Sequence, residues 1–163
     1  MAASLLLASI WSLPQYAHAR LDETEGECEK RYGPGKEYET NKWISVPLLE
    51  GRVPHRIYDY KGWVILIAFI GNVSVSERYV KSSAAGKSRQ ITPAEIEVLL
   101  EANRGKGHWS PTEDGKAWNR SDKATAVLRG STMIVFSTPM AELYKASKAY
   151  EKEEKEKAAV PKF

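Results

Sequence analysis

Between Val53 and Lys81 the chain alternates apolar runs with turn dipeptides, and no other stretch constrains the fold as strongly. Val53–Tyr60, Trp63–Ile70 and Val73–Lys81 each have strand length, and Lys61-Gly62 and Gly71-Asn72 separate them. Gly and Asn tolerate the positive φ that a two-residue hairpin connection needs. The stretch therefore predicts a three-stranded antiparallel meander. In its middle strand Trp63, Ile65, Ile67 and Phe69 point one way, and Val64, Leu66, Ala68 and Ile70 point the other. A strand that is apolar on both faces is covered on both, so Ile67→Asp and Leu66→Asp are each expected to destabilise strongly. The third strand alternates Ser74, Ser76 and Arg78 with Val73, Val75 and Tyr79, a pattern that predicts half exposure.

Helical signals flank this meander. Asp22–Tyr32 reads as a short helix, with Asp22 as N-cap, Glu25 three residues on, and Gly33-Pro34 as the stop. Tyr38–Leu48 reads as a strand around Trp43 and Val46, and the polar run Ser82–Arg89 as a loop. Ile91–Arg104 has the strongest local pattern. Thr92 is the N-cap, Pro93 sits at N1, Glu95 closes the capping box, and Ile91 with Ile96 forms a hydrophobic staple. Ile96, Leu99, Leu100 and Asn103 follow helical spacing up to Gly105. A second hairpin follows at Lys123–Leu128 and Thr132–Ser137, and Thr138-Pro139 opens a last helix. Residues 151–157 are all charged, and 151–163 read as a solvated tail. The fold class is α+β, an antiparallel sheet of two meanders or hairpins with two to three helices packed on it, in one domain over 20–150.

Met1–Ala19 hold no Lys, Arg, Asp or Glu. An apolar run, Ala2–Leu13, is followed by Pro14 and Ala17-His18-Ala19, which reads as a secretory signal peptide cleaved after Ala19, although it lacks an n-region charge. A buried N-terminal helix is the alternative. Export to the periplasm or the exterior would leave Cys28 either buried and inert or paired between two chains in a homodimer. Glu25-Gly26-Glu27 before it is no lipobox, so a lipid anchor is not expected.

Composition excludes several classes. The 24 basic and 21 acidic residues nearly balance, so neither nucleic acid nor an anionic membrane surface is an expected partner. No run of about 20 apolar residues exists to span a bilayer as a helix. A single cysteine excludes an internal disulfide and a multi-cysteine zinc site. His55 and His108 are distant in sequence and lack a helical-spaced partner, so no metal site is encoded locally. No phosphate loop, nucleophile elbow or dinucleotide fingerprint is present, and no cofactor is implied.

The run Cys28-Glu29-Lys30-Arg31-Tyr32-Gly33 at a helix end, then a hairpin, then Ile91-Thr92-Pro93-Ala94-Glu95-Ile96-Glu97 with Leu99-Leu100-Glu101-Ala102-Asn103, resembles a group of small exported bacterial proteins with no assigned function. Trp109 and Trp118 on either side of a turn fit the same pattern, which covers most of the chain after Ala19. In element order alone, a helix on an antiparallel meander is similar to the outer-membrane assembly lipoprotein family and to β-lactamase inhibitor proteins. The missing lipobox departs from the first of these. The likeness implies a protein-binding module.

One stretch combines residue types that anchor interfaces: Arg104-Gly-Lys-Gly-His108-Trp109, with Trp118 and Arg120. An Asp114-Gly115 turn would fold Lys106–Pro111 beside Lys116–Ser121 and gather His108, Trp109, Trp118 and Arg120, with an indole partly exposed. The bland alternative is that both indoles cap the core. The expected function is an exported non-enzymatic binding or structural protein, working through a protein partner in the envelope or extracellular space. The alternatives are a small hydrolase or other enzyme with a site assembled from scattered residues, and a small-ligand carrier.

Overall fold

The computed structural model describes residues 21–38, 53–82 and 89–159. The chain runs α1 (Glu25–Tyr32), β1 (Lys36–Glu37), β2 (His55–Tyr60), β3 (Trp63–Ile70), β4 (Val73–Lys81), α2 (Pro93–Ala102), β5 (Trp109–Pro111), β6 (Ala117–Arg120), β7 (Thr125–Arg129), β8 (Thr132–Phe136) and α3 (Thr138–Ala159). The eight strands form one antiparallel sheet in the order β1-β2-β3-β4-β8-β7-β6-β5. A helix followed by a four-strand meander therefore occurs twice. The two meanders join through their last strands, β4 and β8, from Ser76↔Phe136 to Val80↔Thr132. The fold is α+β, as the strand and cap signals imply. Tyr38–Leu48 lies, after Tyr38 itself, outside the described residues, as do Met1–Ala19 and most of the Ser82–Arg89 loop.

Turn chemistry sets the registers. Lys61 and Gly62 have φ of 47° and 82°, and Gly71 and Asn72 have 59° and 63°. Both connections thus use the positive-φ pairs whose twist matches that of the flanking strands.

Helix starts follow their caps. At α2 the Thr92 hydroxyl accepts from the Glu95 amide at 3.4 Å and the Glu95 carboxylate accepts from the Thr92 amide at 2.9 Å. Lys81 on β4 also pairs with Glu95, and this bond together with the cap bonds holds the Glu95 carboxyl down at about 2. Thr92→Ala is expected to cost about 1 kcal/mol, measured by urea midpoint. At α1 the cap is Thr24 with Glu27, not Asp22 with Glu25. Asp22 has φ of 73°, outside any cap geometry, and its amide donates instead to the Ser74 carbonyl at 3.0 Å. The helix starts only after this strand-like anchor. The charged run beyond residue 150 stays helical to Ala159 with 152–157 exposed, braced by Lys157–Glu153 at 2.8 Å.

The sheet carries a core on each face. Ile65, Ile67, Phe69, Tyr58, Tyr79, Met133 and Val135 pack under α1 and α2. Ala68, Val75, Ile134 and Phe136 pack against Met140 and Ala141 of α3. The middle strand β3 is thus buried on both faces, as its composition implies. Strand β4 departs from expectation: Ser74 and Ser76 are buried while Arg78 keeps partial exposure, and Glu77 is buried as well. The cause lies in the neighbours and the register. β8 pairs on the outer edge of β4, α3 covers one face, and a register shift at Ala68/Phe69 moves Ser74 to the helix side. Cys28 is fully buried on the inner face of α1, with its thiol pushed up to about 12 by burial and then by the Glu77 and Glu23 carboxylates. With α1 in place the thiol is free and buried, as the inert alternative expects.

Candidate functional site

The hairpin β5–β6 forms because its turn is tied at both ends. The Thr112 hydroxyl donates to Asp114 Oδ1 at 2.6 Å, and the Lys116 amide donates to the same oxygen at 3.1 Å. These bonds hold the Asp114 carboxyl below the usual carboxylate range, the hydroxyl being the larger cause. Gly115 takes φ of 63°, and its amide closes the turn on the Thr112 carbonyl at 2.9 Å. The resulting register pairs Trp109 with Arg120 and Pro111 with Trp118. In antiparallel pairing this places Trp109, Trp118 and Arg120 on one face. His108 precedes the strand with an exposed side chain, its carbonyl accepting from the Ser121 amide at 3.0 Å.

Both indoles are half-buried and pack against the α1/α2 side of the core. Trp109 Nε1 donates to the Leu100 carbonyl of α2 at 2.7 Å, so the ring is oriented as well as packed. Arg120 lies beside it, 5.5 Å from the ring centroid, but is only 6% exposed. Its Nε and Nη2 donate to Asp122 at 2.8 and 2.7 Å, and its Nη1 donates to the Asn103 carbonyl at 2.6 Å. Arg120 thus ties β6 to the end of α2. Gly107 is required for this approach, since a Cβ there would stand 2.8 Å from Arg120 Cγ. The Asp122 carboxyl is held low, first by the Arg120 bonds and then by the Ala124 amide.

Behind the hairpin is a cleft of about 260 Å³, lined by Leu21, Asp22, Asn103, Gly105, Lys106, Arg120 and Asp122. A pocket on the opposite sheet face, lined by His55, Leu66, Arg78 and Phe136 among others, holds only about 30 Å³, space for roughly one water. His55 is buried there. Its Nδ1 bonds the Val53 carbonyl at 2.6 Å, and burial pushes its pKa down. It lies on β2, toward the other end of the sheet from His108, so the two imidazoles do not converge.

A further polar cluster is absent from the sequence reading. Glu77 is fully buried, the Tyr79 hydroxyl donates to its Oε2, and Asn103 Nδ2 donates to Tyr79 at 3.0 Å. Burial raises the Glu77 carboxyl to about 7. The sequence held a partial signal: Glu77 shares strand parity with Tyr79, which puts a carboxylate beside a core aromatic, although the register shift sends Val73 and Val75 to the α3 face.

Compared with known protein families, curated proteins and solved structures, the chain matches none. Among the described residues no group of three or more His, Cys, Asp or Glu is placed to hold a metal ion, and no helix is long and apolar enough to cross a membrane.

Proposed function

We propose that this chain is an exported, non-enzymatic binding protein that engages a protein partner through the β5–β6 hairpin and the rim of its cleft. The observation that carries this reading is the pair of half-exposed indoles on a hairpin whose backbone is fixed at the turn and at α2. Rigid aromatic side chains supply contact area at little entropy cost, and His108 and Lys106 beside them offer exposed donors. Arg120 supports this surface from beneath as a positioning residue rather than touching the partner. The enzyme alternative has less support. Glu77, the carboxyl most suited to proton transfer near neutral pH, is fully buried and stands behind Tyr79 and Asn103. Export rests on the Ala2–Ala19 pattern, and sequencing the exported chain should start at Arg20-Leu21-Asp22.

Retention of a partner from an envelope extract by the immobilised chain tests the surface. Trp118→Ala is expected to lower retention of that partner by about 30-fold, the effect of losing an interface anchor. Leu128→Ala removes a comparably half-buried apolar side chain from the same core and should lose stability but keep the partner. If both variants lose binding in proportion to their melting temperatures, the indoles are core and the reading fails.

A further inference from the structure

Helix α1 is the thinnest cover on the sheet. It has eight residues and buries two of them, Cys28 and Tyr32. It is pinned at one end, where the Ser74 amide donates to the Glu23 carbonyl at 2.8 Å. Its other end runs into Gly33, at φ of 86°, and Pro34-Gly35. Beneath it lies the Glu77 carboxyl. Glu77 Oε2 accepts from Tyr79, while Oε1 has no hydrogen-bond partner among the described residues. Every element around Glu77 contributes a named group. Tyr79 comes from its own strand and Asn103, through Tyr79, from α2. Arg31, Tyr32 and Cys28 come from α1, and Glu23 from the segment before it. Strands β3 and β8 present Ile67 and Val135 opposite Glu77 and no charge. Among the described residues the cation that acts on it, Arg31, is already ion-paired with Glu23, whose charge opposes ionisation of Glu77.

We propose that α1 is a pH-operated latch, closed over Glu77 while that carboxyl holds its proton and opening more often once the proton leaves. The protonated carboxyl is a neutral group that apolar surroundings tolerate, whereas the carboxylate left there has one bonded oxygen and no counter-ion of its own. Lifting α1 lets water reach the carboxylate at the loss of two buried side chains, the Tyr32 ring contacts with Tyr58 and Tyr60, and the Glu25–Arg56 ion pair, while every ladder of the sheet stays closed. The segment swings from its Ser74 anchor and the glycine-rich joint, and the opening uncovers Cys28.

Linkage fixes the form of the response. Closed, Glu77 releases its proton near pH 7; open to water, it does so near the ordinary value of 4.5. Opening therefore becomes about tenfold more favourable per pH unit in the middle of this range, about 300-fold in all from below pH 3.5 to above pH 8, where it levels. Alkylation of Cys28 by N-ethylmaleimide reads the opening directly. Its rate in the native chain is divided by the rate in urea-unfolded chain at the same pH, which removes the intrinsic thiol titration. The ratio is expected to rise about 80-fold from pH 4.5 to 7 and to level above about pH 8, and to be flat in Glu77→Gln. A flat ratio in the native chain overturns the proposal without any variant. Hydrogen exchange supplies the second arm: amides of α1 should open at lower free energy than those of β8 around Val135. If both exchange together with the same pH dependence, the proton is linked to global unfolding and the latch is rejected.

Discussion

Ile67→Asp is expected to leave the chain unfolded in dilute buffer at 25 °C. Ile67 is 0% exposed in the middle of β3, with Glu77 opposite it on one side and Arg56 on the other. The substitution removes about 2–3 kcal/mol of apolar burial and places a carboxyl beside the buried Glu77. Arg56 offers little relief, because its guanidinium is directed to Glu25 at the half-exposed rim of α1. The combined cost reaches the about 5–15 kcal/mol that holds a domain together. Ile67→Val, which leaves only a small void, should cost about 1 kcal/mol. Leu66→Asp points to the other face beside Arg78 and should lose less than Ile67→Asp. Far-ultraviolet circular dichroism and urea midpoints separate these outcomes. A cooperative melt for Ile67→Asp within about 1 kcal/mol of the parent would mean that the α1/α2 core does not exclude water.

Arg120→Ala is expected to cost about 3 kcal/mol, although the residue stands within the surface assigned to partner binding. It removes three charge-assisted hydrogen bonds and leaves the Asn103 carbonyl at the end of α2 without its donor. Arg120→Lys should recover little, because one ammonium cannot reproduce a fork that reaches Asp122 and Asn103 together. Asp122→Asn should cost less, since that carboxylate is half exposed. The folded Asp122 carboxyl is held below its ordinary value, so its contribution is present at neutral pH and is lost as the solution is acidified through that depressed value. Urea midpoints of the three variants at pH 7 and pH 3 test the order. Equal midpoints for Arg120→Ala and the parent would show that α2 is held by its apolar face alone.

What could be read from the residues was what is encoded locally. The capping box of α2 needs only Thr92, Pro93 and Glu95 in order, and the β2-β3-β4 meander needs only alternation and two turn dipeptides. The Asp114-Gly115 turn likewise sufficed to bring Trp109, Trp118 and Arg120 together. The misreadings all involve a partner far along the chain. Thr24 caps α1 because the preceding residues are drawn into a strand-like bond with Ser74. Ser76 is buried because β8 lies against β4. Arg120 looked like a surface anchor, yet two glycines, Gly105 and Gly107, leave room for it to turn inward to Asn103. Periodicity within one strand cannot report which strand will lie beside it.

The seam between β4 and β8 has a consequence for how the molecule assembles. Each half closes its hairpins between near neighbours in the chain, but the seam joins Ser76 to Phe136 and Val80 to Thr132. It is therefore the late, entropically slow step, after two half-sheets already exist. Until it closes, each half displays a naked strand edge that fits the complementary edge of any other copy as well as its own. Dilution during refolding favours self-closure, and crowding favours reciprocal exchange of halves between two chains. Among the described residues the closed sheet, by contrast, ends in a two-residue strand on one side and a three-residue strand containing Pro111 on the other, which gives a further copy little to extend.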